Sequence, residues 1–154
     1  KGIAGGFPCG AVLATDAVAS SMTAGSHGST FGGNPLAMAV ANANLDVLTS
    51  DGFLDNVIRS GDALRAGLRE IAGRHPDIIT DVRGQGLMIG MVIAEPFTNG
   101  QLGEAARDSN LLTVVAGENV LRMLPPLIIG ESEIAEAVEA IEQACTALAS
   151  AGDA

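Results

Sequence analysis

Residues 51–76 constrain the fold more than any other stretch, because they read as one long amphipathic helix. Ser50 or Asp51 is the predicted N-cap, and the helix ends at residues 73–76, since the proline there cannot continue it. A helix of this length commonly links two lobes, so we predict a domain boundary within it or just before it. Its apolar residues recur every three or four positions and form one face: Leu54, Val57, Ile58, Gly61, Leu64, Leu68 and Ile71.

The sequence on the N-terminal side of this helix predicts a strand and a second helix. Residues 10–15 form a short apolar run suited to a buried strand, and residues 16–21 are long enough for one helical turn. Residues 35–48 carry a helical pattern, with an apolar stripe of Leu36, Val40, Ala43 and Val47. We interpret residues 1–50 as the end of a large domain.

On the C-terminal side the apolar period changes to that of β-strands. A short helix is expected at residues 101–109 and a final helix from residue 133 to about residue 149. The pattern therefore predicts an α/β fold in which residues 77–150 form a small domain with a sheet of three or four strands, and residues 51–76 link it to the first. The predicted strands are residues 78–82, 87–93, 111–115 and 119–124.

Residues 27–35, His-Gly-Ser-Thr-Phe-Gly-Gly-Asn-Pro, have the composition of an anion-binding loop. Asn34 is a candidate N-cap and Pro35 a candidate first helical residue, so a helix is expected to begin here. Backbone N–H groups at a helix N-terminus attract anions, and the hydroxyls of Ser29 and Thr30 add further donors. A turn that does no more than cap the helix would also explain Asn34 and Pro35.

Lys1 is the only lysine of the chain, and the small residues Gly2, Ala4, Gly5 and Gly6 follow it. A planar ligand could approach such a backbone closely. Schiff-base chemistry requires an amine of lowered pKa beside a cofactor that accepts electrons. From these residues alone, a solvated lysine at a chain terminus is the simpler interpretation.

Charge and composition argue against several classes of function. The formal net charge is −10 and the eight basic residues are spread thinly, whereas nucleic-acid binding needs clustered Lys and Arg. This charge suits a soluble cytoplasmic protein, and no apolar run approaches the roughly 20 residues of a membrane span. Cys9 and Cys145 lack metal-ligand or redox-motif spacing and are expected to be reduced, packed thiols. Because His27 and His75 are not near any acidic cluster, no metal site is expected.

Four blocks resemble segments of the class III aminotransferases, which are pyridoxal-phosphate enzymes of fold type I. Residues 1–8 resemble the segment around their Schiff-base lysine, and residues 27–35 resemble their phosphate-contacting loop. Residues 82–90, Val-Arg-Gly-Gln-Gly-Leu-Met-Ile-Gly, match the turn that opens their small domain. Residues 120–127, Val-Leu-Arg-Met-Leu-Pro-Pro-Leu, resemble the segment whose arginine binds a substrate carboxylate. The blocks occur in the family's order, which strengthens the resemblance.

The resemblance implies roles for particular side chains. Lys1 would bind pyridoxal 5'-phosphate as a Schiff base and transfer the proton during the reaction. Ser29 and Thr30 would contact the cofactor's phosphate, with Thr30 serving the site of the other subunit of a homodimer. Arg122 would bind a substrate carboxylate in two-point contact, although an internal ion pair would also satisfy it. Arg83 is expected to be structural, bonding backbone carbonyls at the entrance to the small domain.

Within the family, the wording of the first two blocks is most similar to enzymes that transfer the δ-amino group of N-acetylornithine to 2-oxoglutarate, in arginine biosynthesis. Ornithine, succinylornithine and 4-aminobutyrate stay open as alternative amines, because the pocket for the acyl end is largely built upstream of Lys1. The resemblance also implies that the chain is the C-terminal portion of a longer enzyme. The family's aromatic residue on the cofactor ring, its aspartate and its main phosphate-binding turn precede the lysine, so we expect the chain alone to be inactive. A fragment that only folds and associates is the alternative from another class of function.

Overall fold

The computed structural model describes residues 2–152, which form two compact units divided between Leu54 and Asp55. The first unit contains a 3-10 helix, Gly2–Ala4, and two α-helices, α1 (Asp16–Ala19) and α2 (Pro35–Leu48). Both α-helices occur where the sequence predicts them. The three-part division into residues 1–50, 51–76 and 77–150 stays a prediction.

Helix α2 begins through the signals predicted from the sequence. The side-chain oxygen of Asn34 accepts a hydrogen bond from the backbone N–H of Ala37 at 2.9 Å, and Pro35 occupies the first helical position. The predicted apolar stripe is wrong, since Leu36 and Val47 are exposed whereas Ala37 and Ala41 are buried. Small residues on this face let the 3-10 helix pack closely against α2.

The strand predicted at residues 10–15 is wrong. This segment is irregular, and the side chains of Val12 and Leu13 are 86% and 99% exposed. An apolar run becomes a strand only when a neighbouring strand supplies hydrogen-bond partners. Within the described part of the first unit, no other strand is present to do so.

The second unit is built on an antiparallel sheet of four strands in the order β1-β2-β4-β3. The strands are β1 (Ile79–Gln85), β2 (Met88–Ile93), β3 (Val114–Ala116) and β4 (Val120–Met123). The helices are α3 (Phe53–Arg74), which begins just before this unit, α4 (Asn99–Asp108) and α5 (Glu131–Gly152). The predicted mixed α/β fold is therefore confirmed. Each of the four predicted C-terminal strands has a counterpart, but the third begins at Val114 rather than at residue 111.

The core of the second unit lies between one face of this sheet and the three helices. Along β2, buried Ile89, Met91 and Ile93 alternate with more exposed residues, so the opposite face of the sheet is less deeply buried. Most of the predicted α3 face is buried, but Leu54 and Ile58 are both 56% exposed. The core residues contributed by the helices include Leu64, Leu68, Ile71, Leu102, Ala106, Ile134, Ile141 and Cys145.

The β1–β2 hairpin is tighter than the sequence suggests. The sequence predicts residues 83–86 as the connection between the two strands, yet residues 83–85 belong to β1 and pair with β2. Gly84 has φ +140°, and a Cβ atom there would lie 2.1 Å from the carbonyl oxygen of Met88. Only glycine fits this close approach of two backbones.

Among the described residues, no helix is both long and apolar enough to cross a membrane.

Candidate functional site

Lys1 lies outside the described residues, but the turn that follows it is well defined. The carbonyl oxygen of Gly2 accepts a hydrogen bond from the N–H of Gly5, and that of Ala4 accepts one from Phe7, at 3.1 and 3.0 Å. Gly5 has φ +57°, a conformation that glycine adopts without strain. The proposed Schiff-base lysine thus precedes a compact turn.

Asn44 on α2 binds this turn, and sequence reasoning did not identify it. Its side-chain Nδ2 donates to the carbonyl oxygens of Gly2 and Ile3, both at 3.1 Å. Asn44 follows the buried Ala37 and Ala41 at helical spacing, so it lies on the face that packs against the turn. The sequence signal that could have identified Asn44 is an amide side chain on a helix face that otherwise carries alanine.

Ser29 and Thr30 lie together in the predicted loop and are exposed. The carbonyl oxygen of Ser29 accepts from the N–H of Gly32 at 3.2 Å, closing a turn. The side chain of Asn34 closes a second turn, since its Nδ2 donates to the carbonyl oxygen of Phe31 at 2.8 Å. The loop therefore has a defined backbone that ends at the first turn of α2.

This loop can accept an anion. Within residues 2–152, the backbone N–H groups of Thr30, Phe31, Gly33 and Leu36 make no hydrogen bond. The loop precedes a helix of 14 residues, whose N-terminus carries partial positive charge. No aspartate or glutamate occurs between residues 17 and 45, so no nearby carboxylate in the sequence repels a phosphate. These features fit a phosphate group at the loop.

Arg122 lies in the second unit, on the face of the sheet opposite the core. Its neighbours across the strands are Gly90 on β2 and Val114 on β3. The side chain is half-buried, and its Nε atom is buried without a hydrogen-bond partner among the described residues. A buried donor without an acceptor costs free energy, so an external carboxylate would stabilise it.

The internal ion pair considered for Arg122 is absent from the described residues. Other arginines do form such pairs: Arg74 with Glu142 at 2.7 Å, and Arg65 with Asp62. Arg122 therefore differs from these two arginines, because its guanidinium forms no ion pair among the described residues.

Arg83 does not make the backbone contact that was predicted for it. Its guanidinium binds no backbone carbonyl among the described residues and instead pairs with the carboxylate of Glu118 at 3.2 Å. Arg65 makes the predicted kind of contact, donating to the carbonyl oxygen of Gly84 at 3.0 Å. The long side chain of Arg65 reaches this carbonyl from α3, a contact that local sequence does not encode.

Two further groups in the second unit carry no proposed chemistry. Cys145 is fully buried, and desolvation together with the charge of Glu142 raises the pKa of its thiol to about 12. His75 lies 2.9 Å from the carboxylate of Glu142 through its Nε2 atom. Both groups belong to the packing of α3 against α5.

The second unit contains a groove with a volume of about 580 Å³. It lies beside α5 and the end of β4, and Met123, Leu124, Ile129 and Glu136 are among its lining residues. None of the residues predicted to bind cofactor or substrate lines it. The groove therefore contributes nothing to the candidate site.

Comparison with known sequences gives a single family. The aminotransferase class-III family matches residues 1–145. Acetylornithine aminotransferase of Mesorhizobium japonicum is 54% identical over 151 residues, which is 98% of this chain and 37% of that protein. The enzyme of the same name from Rhodobacter capsulatus is 51% identical over 148 residues, covering 96% of this chain and 37% of the relative. The chain thus spans little more than a third of the curated relatives it matches.

Solved structures agree with this assignment. N-acetylornithine aminotransferase from Stenotrophomonas maltophilia has a TM-score of 0.71 at 39% identity, covering 78% of this chain and 33% of that one. Ornithine aminotransferase from Toxoplasma gondii, described with partial pyridoxal-phosphate occupancy at its active site, has a TM-score of 0.77 at 31% identity. The match covers 89% of this chain and 33% of the Toxoplasma gondii chain. The chain belongs to the class III aminotransferases, a family of pyridoxal-phosphate-dependent enzymes.

Proposed function

We propose that this chain is the C-terminal portion of an aminotransferase that transfers the δ-amino group of N-acetylornithine to 2-oxoglutarate, as a step of arginine biosynthesis. The observation that carries the proposal is the high identity with acetylornithine aminotransferases over almost the whole chain. The phosphate-compatible loop and the unpaired guanidinium support it independently. We further propose that the enzyme acts in the cytoplasm.

The proposal assigns cofactor binding to the first unit. Pyridoxal 5'-phosphate supplies an electron sink that stabilises negative charge on the substrate carbon. Lys1 would hold the cofactor covalently and, once displaced by the substrate amine, would carry the proton between reacting atoms. The hydroxyls of Ser29 and Thr30, with the free N–H groups of their loop, would bind the phosphate. Following the family pattern, we propose that Thr30 does so in the partner's site of a homodimer.

Substrate binding is assigned to Arg122. Its planar guanidinium can hold a carboxylate with two parallel hydrogen bonds, which fixes orientation as well as position. Both proposed substrates, N-acetylornithine and 2-oxoglutarate, carry a carboxylate. A single arginine of this kind could therefore serve both half-reactions.

The test uses the full-length protein that contains this chain. Titration with pyridoxal phosphate should produce the absorbance band of lysine-bound cofactor in the wild type, and Lys1→Ala should abolish that band while some cofactor stays bound noncovalently. An unchanged band in Lys1→Ala would mean that another amine binds the cofactor, and the proposal would fail.

Arg122 is tested by kinetics. Arg122→Ala should lower kcat/KM for N-acetylornithine by about 10²-fold or more, because a charge-assisted two-point contact is lost. Arg107→Ala changes an exposed arginine on α4 and serves as the matched control. If the two variants behave alike, Arg122 does not bind substrate.

Ornithine is the second substrate to test, because an ornithine aminotransferase is among the structural neighbours. Its kcat/KM, and that of succinylornithine and 4-aminobutyrate, should be lower than that of N-acetylornithine. A higher value for any of them would reassign the substrate while leaving the reaction class intact. The 154-residue chain alone should show no transamination, and measurable turnover by it would contradict that expectation.

A further inference from the structure

We propose that Asn44 positions Lys1, by holding the backbone that immediately follows the lysine. The inference rests on the proposed function, in which Lys1 binds the cofactor. Asn44 is a positioning residue in this scheme, since it contacts the main chain and not the cofactor or the substrate.

The contacts are specific to the turn next to the lysine. Asn44 Nδ2 donates to the carbonyl oxygens of Gly2 and Ile3, both at 3.1 Å, which are the first two residues after Lys1. The Gly2 oxygen also accepts from the N–H of Gly5, so one carbonyl joins the internal bond of the turn to α2. A Cβ atom on Gly5 would lie 3.1 Å from Asn44 Oδ1, which is a tight contact, and the φ of +57° at Gly5 also favours glycine. The amide and the turn are therefore closely fitted on both sides.

An asparagine is otherwise a poor choice at this position. It has low helix propensity, because its side chain competes with the backbone for hydrogen bonds. Asn44 is half-buried on the face that carries Ala37 and Ala41, where a small apolar residue would pack without requiring a partner. The two carbonyls supply the partners that its amide requires.

Helix α2 connects this contact to the phosphate-compatible loop. Asn34 caps its N-terminus four residues after Thr30, and Asn44 lies ten residues further along. At about 1.5 Å of rise per residue, the two asparagines are separated by about 15 Å along a rigid element. One helix thus sets the distance between the lysine segment and the loop proposed to bind phosphate.

The experiment compares three variants of the full-length protein. Asn44→Ala removes the amide. Asn44→Asp preserves the shape of the side chain but replaces the donor with a carboxylate, which cannot donate to the Gly2 and Ile3 carbonyls at neutral pH. Asn42→Ala is the matched control, since Asn42 is an exposed asparagine on the same helix without a side-chain hydrogen bond among the described residues.

The first readout does not depend on the cofactor. In the cofactor-free protein, amide hydrogen exchange at Gly5 and Phe7, whose N–H groups close the turn, should accelerate about tenfold or more in both Asn44 variants. Exchange in Asn42→Ala should match the wild type. If Asn44→Ala does not fold, Asn44→Asp alone provides the comparison, because its shape is conserved.

The second readout reports on Lys1 directly. Borohydride reduction of the loaded enzyme, followed by peptide mapping, identifies the lysine that holds the cofactor. The pH dependence of the absorbance band should shift in the Asn44 variants but not in Asn42→Ala, and kcat should fall more than KM rises. A purely structural role for Asn44 would leave this pH profile unchanged.

The outcomes separate the two proposals. If reduction labels a lysine other than Lys1 in the wild type, the proposed function fails and the positioning role fails with it. If reduction labels Lys1, yet turn exchange and the pH profile of the Asn44 variants match those of Asn42→Ala, only the positioning role is overturned. Faster exchange together with a shifted profile supports both.

Discussion

Gly61 on α3 lies against the backbone of the β1–β2 turn. A Cβ atom at this position would be 2.2 Å from the carbonyl oxygen of Gly86, which is main chain and has no rotamer to change. We expect Gly61→Ala to lower the free energy of unfolding by about 3 kcal/mol or more, because helix and hairpin must separate. Urea unfolding followed by circular dichroism measures the change.

Gly73 provides the control for this substitution. It lies near the end of the same helix, and a Cβ atom there would meet nothing within 4 Å. Gly73→Ala should therefore be neutral or stabilising by up to about 1 kcal/mol, through helix propensity alone. Equal effects at the two positions would show that the close approach at Gly61 does not determine stability.

Glu142 should make stability depend on pH in the acid range. Its carboxylate accepts from Arg74 at 2.7 Å and lies 2.9 Å from His75, and these hydrogen bonds hold its pKa below the usual value. Because the folded-state pKa is the lower one, the stabilisation is complete above the unfolded-state pKa and disappears as pH falls through the folded-state pKa. We expect Glu142→Gln to flatten the loss of stability below about pH 4.5.

The measurement is Tm as a function of pH for Glu142→Gln and for Glu136→Gln. Glu136 is an exposed glutamate on the same helix that forms no salt bridge among the described residues. Glu136→Gln should keep the acid limb of the wild-type curve. A wild-type slope in Glu142→Gln as well would mean that the pair with Arg74 and His75 contributes nothing to acid sensitivity.

At the scale of elements, two asparagines connect the β3–β4 turn to the segment that precedes α4. The side-chain oxygen of Asn119 accepts from the N–H of Asn99 at 2.7 Å, and its Nδ2 donates to the carbonyl oxygens of Ile93 and Phe97 at 2.9 and 3.0 Å. Asn99 reciprocates by donating to Ala116 and Val120. The pair therefore holds the hairpin turn and the start of α4 together.

Asn119→Ala should destabilise the second unit by about 3 kcal/mol or more, because it leaves three part-buried backbone groups without their partner and because alanine tolerates left-handed backbone less well than asparagine. Asn119 has φ +54°, so Asn119→Gly should recover about 1 kcal/mol of that loss by relieving the backbone. Asn110→Ala is the control for backbone strain alone, because Asn110 is exposed with φ 62°. If Asn119→Ala costs no more than Asn110→Ala in urea unfolding, the asparagine network is not stabilising.

The elements that sequence predicts well are those specified by adjacent residues. Asn34 and Pro35 give the start of α2, and the proline after His75 gives the end of α3. Contacts between distant segments are not encoded locally, so Asn44, Asn119 and the Arg65 contact with Gly84 could not be predicted. The apolar run at residues 10–15 was misread for the same reason, because a strand depends on partners elsewhere.

Some features of the candidate site can likewise be predicted from the sequence and others cannot. The resemblance of two sequence blocks to a family predicts roles for Ser29, Thr30 and Arg122. The structure adds two observations: backbone N–H groups near Ser29 and Thr30 make no hydrogen bond, and the Nε atom of Arg122 has no partner among the described residues. The availability of Arg122 could not be predicted, because many acidic residues in the sequence could have paired with it. Only the strand register, with Gly90 and Val114 beside Arg122, shows which neighbours it has.

At the scale of the whole molecule, the two units differ in how much apolar surface they bury. In the described part of the first unit, the buried apolar residues are three alanines, Ala4, Ala37 and Ala41, whereas large side chains such as Leu13 and Phe31 are exposed. The second unit has a core of leucine, isoleucine, valine and methionine residues between sheet and helices. Burial of large apolar side chains dominates folding free energy, so the second unit holds most of the stability.

A polypeptide of residues 55–154 should therefore fold alone, with a urea midpoint close to that of the complete 154-residue chain. In the complete chain, amides of α2 should exchange with solvent far faster than those of β2, because α2 buries little. Leu64→Ala is the control, since it should lower the stability of both polypeptides by about 2–5 kcal/mol. Protection of α2 equal to that of β2 would contradict the prediction. If the amides of α2 do exchange quickly, α2 does not hold the loop with Ser29 and Thr30 in a stable position in this chain. Cofactor binding would then require residues that the 154-residue chain does not contain.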